Sequence, residues 1–355
     1  MISAQLLALV RCPDCGGALR GTPDALVCAS CGHRFGGDSS AYLDLRPHVE
    51  FEERTKYLDE ALHADARHEQ VSPPFLGSKV RNDMLRSFLA PAPADRVLDL
   101  GCGSGRALLW NRDWQSTMVG IDIAPYFAEQ ARASVDLLLG DLRKLPFPDA
   151  TFTRAYSLDV LEHLSPDALR AMLREAARVL TPGGQLFVYT HVRKNARIAV
   201  VLKWINGLAR RLERAGLIDL RQERLRKSDH VNPLADIPDL RRVAAETGFR
   251  IRRIRYYTPV AGGFIENILM RVAERRLARR AQQMAAKGRS TAAPLSDEDA
   301  LKAARTTGKA RIDRSPALRG ALTFFTAIMK LDVVLFGRIE SGPFFALLER
   351  VEPPR

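Results

Sequence analysis

A chain of 355 residues can bury a full core and is too long for one small domain, which points to a large domain with appendages. Hydrophobic residues at 46% and charged residues at 27% exclude a collagenous, disordered or multi-span membrane chain. The formal charge of +13 is unevenly spread: residues 191–355 hold 34 Lys and Arg against 17 Asp and Glu, with 20 against 24 before them. Such asymmetry implies attraction to something anionic, a membrane surface or a nucleic acid, set against the plainer reading of arginine-rich solvated helices.

The first ten residues carry a short apolar run without a basic n-region or a small-residue cleavage site, so no signal peptide is expected. A cytoplasmic placement follows, extended to the periphery of the inner membrane face. Four of the five cysteines then form two knuckles, Cys12-Pro13-Asp14-Cys15 and Cys28-Ala29-Ser30-Cys31, with twelve residues between them. This is a zinc-ribbon spacing: thiolates suit tetrahedral Zn2+, and Gly16-Gly17 and Gly32 supply the tight turns. A segment so short needs the metal to fold. Two disulfides or a redox pair compete; the compartment disfavours the first, and the missing thioredoxin-like pattern the second. Four sulfur ligands close the site, making the ion structural. His33 reads as a surface histidine, and Tyr42-Leu43-Asp44-Leu45 as the last strand of the ribbon.

Helices are expected over 51–67 and 78–89, divided by Pro73-Pro74 and closed by Ala90-Pro91-Ala92-Pro93. Next, Arg96-Val97-Leu98-Asp99-Leu100 reads as a strand, Gly101-Cys102-Gly103-Ser104-Gly105 as a glycine turn and 106–111 as a helix. The glycines let the backbone approach a ligand, and the helix start offers free N–H groups. Glycine spacing alone does not separate one nucleotide cofactor from another; the acidic register does. Asp99, at the end of its strand, suits a cationic amino group. Asp122, in the strand over 118–123, stands where a carboxylate binds ribose hydroxyls. Asp141, after the strand over 135–139, can face an adenine amino group. No later segment supplies a nicotinamide half, which sets a dehydrogenase aside.

In order and spacing, VLDLGCGSGR, GIDIAP, GDLRKLPFPDATFTRAYSLDVLEHL and VLTPGGQLFVYT resemble successive motifs of the class I S-adenosylmethionine-dependent methyltransferases, over about residues 94–192. The resemblance implies an α/β fold: a Rossmann-like, seven-stranded sheet with helices on both faces. It divides the chain into a ribbon (1–46), a helical lid or linker (47–93), a core (94–259) with a basic insertion at 193–228, a basic helical insertion (260–336) and a final strand region (337–355). It further implies that Asp99, Gly101, Gly103 and Gly105 line the methionine and sugar side of the cofactor, Asp122 with Ile123 the ribose, and Asp141 with Leu142 the adenine. Ser157 would close the same pocket, and Tyr57 would be a lid residue. Cys102 reads as a small space-filler.

Methyl transfer from a sulfonium is an in-line displacement, and a hydroxyl acceptor must also lose its proton, a task that suits histidine. The candidates are His163, His191 and His230. His163 comes first, because Glu162-His163 looks like the Glu-His pair of many small-molecule O- and C-methyltransferases. No glutamate-histidine metal cluster of useful spacing is read, so no catalytic metal is expected. Interleaved apolar and arginine residues at 198–214 and 264–280 suit an interfacial helix and favour a small-molecule or lipid-like acceptor at a membrane surface. The alternative is an rRNA guanine methyltransferase, since a ribbon heading this domain resembles the bacterial large-subunit enzymes and positive charge holds phosphate. A non-catalytic partner protein ranks third, because every cofactor carboxylate is present.

Overall fold

The computed structural model describes residues 2–22, 25–36, 41–48, 71–193, 199–221, 224, 230–288, 308, 312 and 314–351. The helix expected over 51–67, with Tyr57, lies outside these residues.

The N-terminal unit comprises α1 (Ala4–Leu9) and a three-stranded antiparallel sheet of β1 (Leu19–Thr22), β2 (Ala25–Cys28) and β3 (Arg34–Phe35). Ser3 caps α1: its hydroxyl accepts from Leu6 N and donates to Asp136 Oδ2 at 2.6 Å, tying the ribbon to the core. The next strand, β4 (Leu43–Asp44), leaves the ribbon and pairs in parallel with β7 (Asp136–Leu139) at the edge of the main sheet. This corrects the expectation that Leu43-Asp44 closes the ribbon. Leu43 and Leu45 are both fully buried, and their burial against the sheet outweighs pairing with the small ribbon.

The rest alternates strand and helix: α2 (Leu76–Leu89), β5 (Arg96–Leu100), α3 (Arg106–Trp110), β6 (Thr117–Asp122), α4 (Glu129–Ser134), β7, β8 (Phe152–Leu158), α5 (Pro166–Val179), β9 (Leu180–His191), α6 (Ala199–Arg214), α7 (Ile237–Glu246), β10 (Phe249–Tyr256), α8 (Val260–Phe264), α9 (Met270–Gly288), α10 (Pro316–Phe336) and β11 (Pro343–Arg350). Strand order is β10-β11-β9-β8-β5-β6-β7-β4. The seven expected strands are all present, and β4 adds an eighth. Strands β4 to β9 run parallel, whereas β11 lies antiparallel to both β9 and β10.

Both faces of the sheet are covered, so its strands read as continuous apolar runs rather than alternating ones. Successive side chains still part to opposite cores. Leu98, Leu100, Ile121 and Val188 pack with Leu169 and Met172 of α5 and with the ribbon, while Val97, Tyr156, Phe187 and Phe345 pack with Val80 and Phe88 of α2 and Met329 of α10.

The segment between β10 and β11 splits an antiparallel pair, Phe249↔Arg350 to Tyr256↔Phe344. Its helices roof α2. Leu76 N donates to Thr326 Oγ1 at 2.8 Å, Gly77 N donates to Glu266 Oε1 at 3.0 Å, and Lys330 Nζ pairs with Asp83 at 2.5 Å. Among the described residues no helix is long and apolar enough to cross a membrane.

Candidate active site

Parallel α/β sheets open their ligand crevice at the carboxyl ends of the strands, and the expected cofactor residues gather there. The turn after β5 runs through left-handed backbone at Gly101 (φ 80°), Gly103 (φ 53°) and Gly105 (φ 78°), which L side chains avoid. At Gly101 an added Cβ would stand 2.5 Å from Val160 Cγ2, so glycine is needed for packing as well as for φ. Gly103 has open space on the same test, the room that a ligand lying against the backbone requires. Cys102 is buried with its sulfur against Gly120, and burial pushes its thiol well up, as befits a space-filler.

Asp99 and Asp122 adjoin the turn, and Asp141 follows β7. Asp99, 2% exposed, has an Oδ2 without a hydrogen-bond partner; burial pushes its carboxyl well above the usual range despite the Tyr156 hydroxyl beside it. A buried, unpaired acceptor at a strand tip fits a cationic ligand group. Asp122, at the tip of β6, accepts from Gly103 N at 2.7 Å and Ala124 N at 3.0 Å. Burial raises it, and those donors oppose the rise. Ile123 follows it and is partly exposed. Asp141 is held by Arg143, whose Nε and Nη2 donate at 2.9 and 2.7 Å, with Leu142 packed on the core beside it. Ser157 is fully buried and donates to Leu100 O at 2.8 Å, so it locks β8 to β5 from beneath.

All three candidate histidines meet at the ends of β8 and β9. Leu161–His163 forms a 3-10 turn directly after β8, and Asn232 N donates to Glu162 O at 2.9 Å, laying the 230–234 segment over it. The His163 and His230 rings stand edge-to-face with centroids 4.7 Å apart, and His191 lies 6.3 Å from His230. Glu162, 1% exposed, accepts from Thr190 Oγ1 at 2.8 Å, and His191 Nδ1 is 3.7 Å from its other oxygen. Burial raises the Glu162 carboxyl, but His191 and Thr190 outweigh it and hold it below the ordinary glutamate value. One ligand atom from each of Glu162, His163 and His230 lies within 4.8 Å of the others. Sequence spacing shows no such cluster; the fold joins residues that spacing keeps apart.

Cys12, Cys15, Cys28 and Cys31 converge, with Sγ separations of 3.7 Å (Cys12 to Cys31) and 3.4 Å (Cys15 to Cys28). A tetrahedron with metal–sulfur bonds of about 2.3 Å has edges of about 3.8 Å, whereas a disulfide needs about 2.05 Å. The separations therefore fit a four-thiolate metal site. Backbone N–H groups of Cys31 and Ser30 point at Cys28 Sγ and, against burial, pull its thiol down to about 6. His33 does not join them; it pairs with Asp14 at 2.6 Å, as His48 does at 2.8 Å.

The protein-family model that matches this chain is described as a methyltransferase domain and covers residues 98–188. This segment is a class I methyltransferase domain. Similar curated proteins include the 27-O-demethylrifamycin SV methyltransferase of Amycolatopsis mediterranei, 38% identical over 114 residues, 29% of this chain and 41% of that one. A probable tRNA methyltransferase 9B of Mus musculus is 33% identical over 162 residues, 43% of this chain and 36% of its own. The sterol 4-C-methyltransferase of Caenorhabditis elegans is 34% identical over 141 residues, 35% and 41% of the two chains. The chain thus spans about two fifths of the length of these relatives. A solved structure of Haemonchus contortus phosphoethanolamine N-methyltransferase 2 with S-adenosyl-L-methionine is similar at TM-score 0.47 and 16% identity, covering 85% of this chain and 59% of that one.

Around the methyltransferase domain the sequence missed Arg81 and Asp159. Arg81, on α2, places Nε 3.5 Å from Asp159 Oδ2 and its guanidinium 5.5 Å from the Tyr189 ring centre. Asp159 adopts left-handed backbone (φ 56°) at the end of β8. An arginine in an amphipathic helix gives no signal of its own, but the carboxylate three positions before Glu162 was open to notice.

Proposed function

We propose that this chain transfers a methyl group from S-adenosylmethionine to an oxygen or carbon of a small, lipid-like acceptor at an anionic membrane surface, with Zn2+ held by the four cysteines of the ribbon. The observation that carries the reading is the convergence of Glu162 and three histidines on the ends of β8 and β9, next to the strand tips that bear Asp99 and Asp122. When bound, the cofactor supplies a methyl carbon activated by an adjacent sulfonium. Asp122 binds the ribose hydroxyls, Asp99 the cationic amino group, and Asp141 with Leu142 the adenine. His191 takes the acceptor's hydroxyl proton: its buried Nδ1 lacks a hydrogen-bond partner and faces Glu162, which orients the ring and stabilises the imidazolium.

Apolar and basic side chains support a membrane-borne acceptor. On α6, Val200 and Trp204 are 68% and 66% exposed beside Lys203; on α10, Phe324, Leu331, Val334 and Leu335 form an exposed stripe at helical spacing. The second reading is RNA methylation, favoured by the similarity to the probable tRNA methyltransferase and by the basic C-terminal half.

Tritium-labelled S-adenosylmethionine, the zinc-loaded chain, phosphatidylglycerol vesicles loaded with a total lipid extract, and a mixed rRNA and tRNA preparation decide between them. Label should enter the organic-soluble fraction, and the doubly substituted Val200→Glu, Trp204→Glu chain should sediment with vesicles about tenfold less well, the loss expected for about 1.4 kcal/mol or more of buried apolar surface. Label in RNA alone would replace this reading with the second.

A further inference from the structure

We propose that Glu162, His163 and His230 hold a divalent first-row transition-metal ion on the acceptor side of the crevice. Each offers one donor atom within 4.8 Å of the other two, and the set is two imidazole nitrogens and one carboxylate oxygen. Metal sites on folded chains need ligands fixed before the ion arrives, and these are fixed from three directions. The 3-10 turn after β8 carries Glu162 and His163. Strand β9 holds Glu162 through the Thr190 hydroxyl. The 230–234 segment is tied down by Asn232 N on Glu162 O and by Arg193 N on Leu234 O at 3.0 Å, with Asn232 in left-handed backbone (φ 48°).

The carboxylate itself asks for a cation. Glu162 is buried and accepts from the neutral Thr190 hydroxyl, while His191 Nδ1 stands 3.7 Å from its other oxygen, beyond hydrogen-bond reach. A buried carboxylate is costly unless paired, and an ion shared with two imidazoles would meet that need. Donor type narrows the ion: Mg2+ and Ca2+ prefer all-oxygen surroundings, while mixed imidazole and carboxylate sets suit Mn2+, Fe2+, Co2+ or Zn2+. Three protein ligands leave coordination positions for an outside oxygen. On the methyltransferase reading, an acceptor hydroxyl entering there loses its proton more readily, and His191, outside the ligand set, remains to take it.

Mn2+ is the probe, because the soft thiolates of the ribbon do not select it over Zn2+. Titration of the zinc-loaded, zinc-quantified chain, with free Mn2+ followed by electron paramagnetic resonance, should reveal one Mn2+ per chain. Affinity should fall at least about tenfold in Glu162→Gln and in His230→Ala, both checked for zinc content and thermal midpoint. It should persist in His48→Ala, which breaks the only other histidine-carboxylate group among the described residues, Asp14 with His33 and His48. No uptake by wild type, equal uptake by all variants, or loss confined to His48→Ala would overturn the site. A parallel titration with S-adenosylmethionine separates the two ideas: Mn2+ uptake without cofactor binding retains the metal site and ends the methyltransferase reading, and the converse does the opposite.

Discussion

Chelating the metal from the ribbon is expected to lower the thermal midpoint of the whole chain by about 10 °C or more. Structural zinc contributes about 10–16 kcal/mol of apparent binding free energy to the folding of such small units. The ribbon has little else: its strands span two to four residues each. Its loss would not stay local. Leu6, Val10, Leu26 and Phe35 share one core with Leu98, Ile121 and Leu138 of the main sheet, and Ser3 is bonded to Asp136 on β7. Loosening three or four such side chains removes roughly 1.5–3 kcal/mol each, and a domain of this size shifts by about 2–4 °C per kcal/mol. Calorimetric scans of zinc-loaded, chelated and Cys28→Ser protein, with zinc assayed in each, provide the check. A metal-free sample that melts with the loaded one would show that the cysteines are not a structural metal site.

The second large effect concerns Asp99. Burial keeps this carboxyl protonated to higher pH in the folded chain than in the unfolded one, so its contribution to stability declines as pH rises from the ordinary carboxylate value toward the raised one. A cationic amino group bound beside it favours the ionised form, so cofactor binding releases a proton across that same window. Affinity for S-adenosylmethionine is therefore expected to rise with pH above the ordinary carboxylate value and below the titration of the ligand's own amino group near about 8. Asp99→Asn should flatten that rise and weaken binding by about ten- to a hundredfold, the loss of one charge-assisted hydrogen bond of about 1.5–3 kcal/mol. Calorimetry in two buffers of different ionisation enthalpy reads the proton directly. A profile unchanged by Asp99→Asn would place the amino group elsewhere.

Much of the fold was open to sequence reading, for a physical reason. Strands covered on both faces, such as Val97-Leu98 or Leu186-Phe187-Val188, must be apolar throughout, and their tips must carry whatever binds the ligand. The places of Asp99 and Asp122 at strand ends were legible on those grounds. Strand β4 was misplaced because two residues carry no record of their partner; the burial of Leu43 and Leu45 decides it only in three dimensions. The histidine cluster was hidden for a related reason: 67 positions part His163 from His230, and the link that joins them is a backbone bond from Asn232. A side-chain pattern does not encode such a bond, so sequence spacing gave no sign of the cluster that the folded chain assembles.

The most direct test is a calorimetric titration of the zinc-loaded chain with S-adenosylmethionine, repeated on Asp122→Ala. Wild type should bind one cofactor per chain, and Asp122→Ala, having lost two charge-assisted hydrogen bonds worth together about 3 kcal/mol or more, should bind about a hundredfold more weakly. Absence of binding by the wild type, or equal binding by both proteins, would contradict a cofactor site built on the glycine turn and the tip of β6.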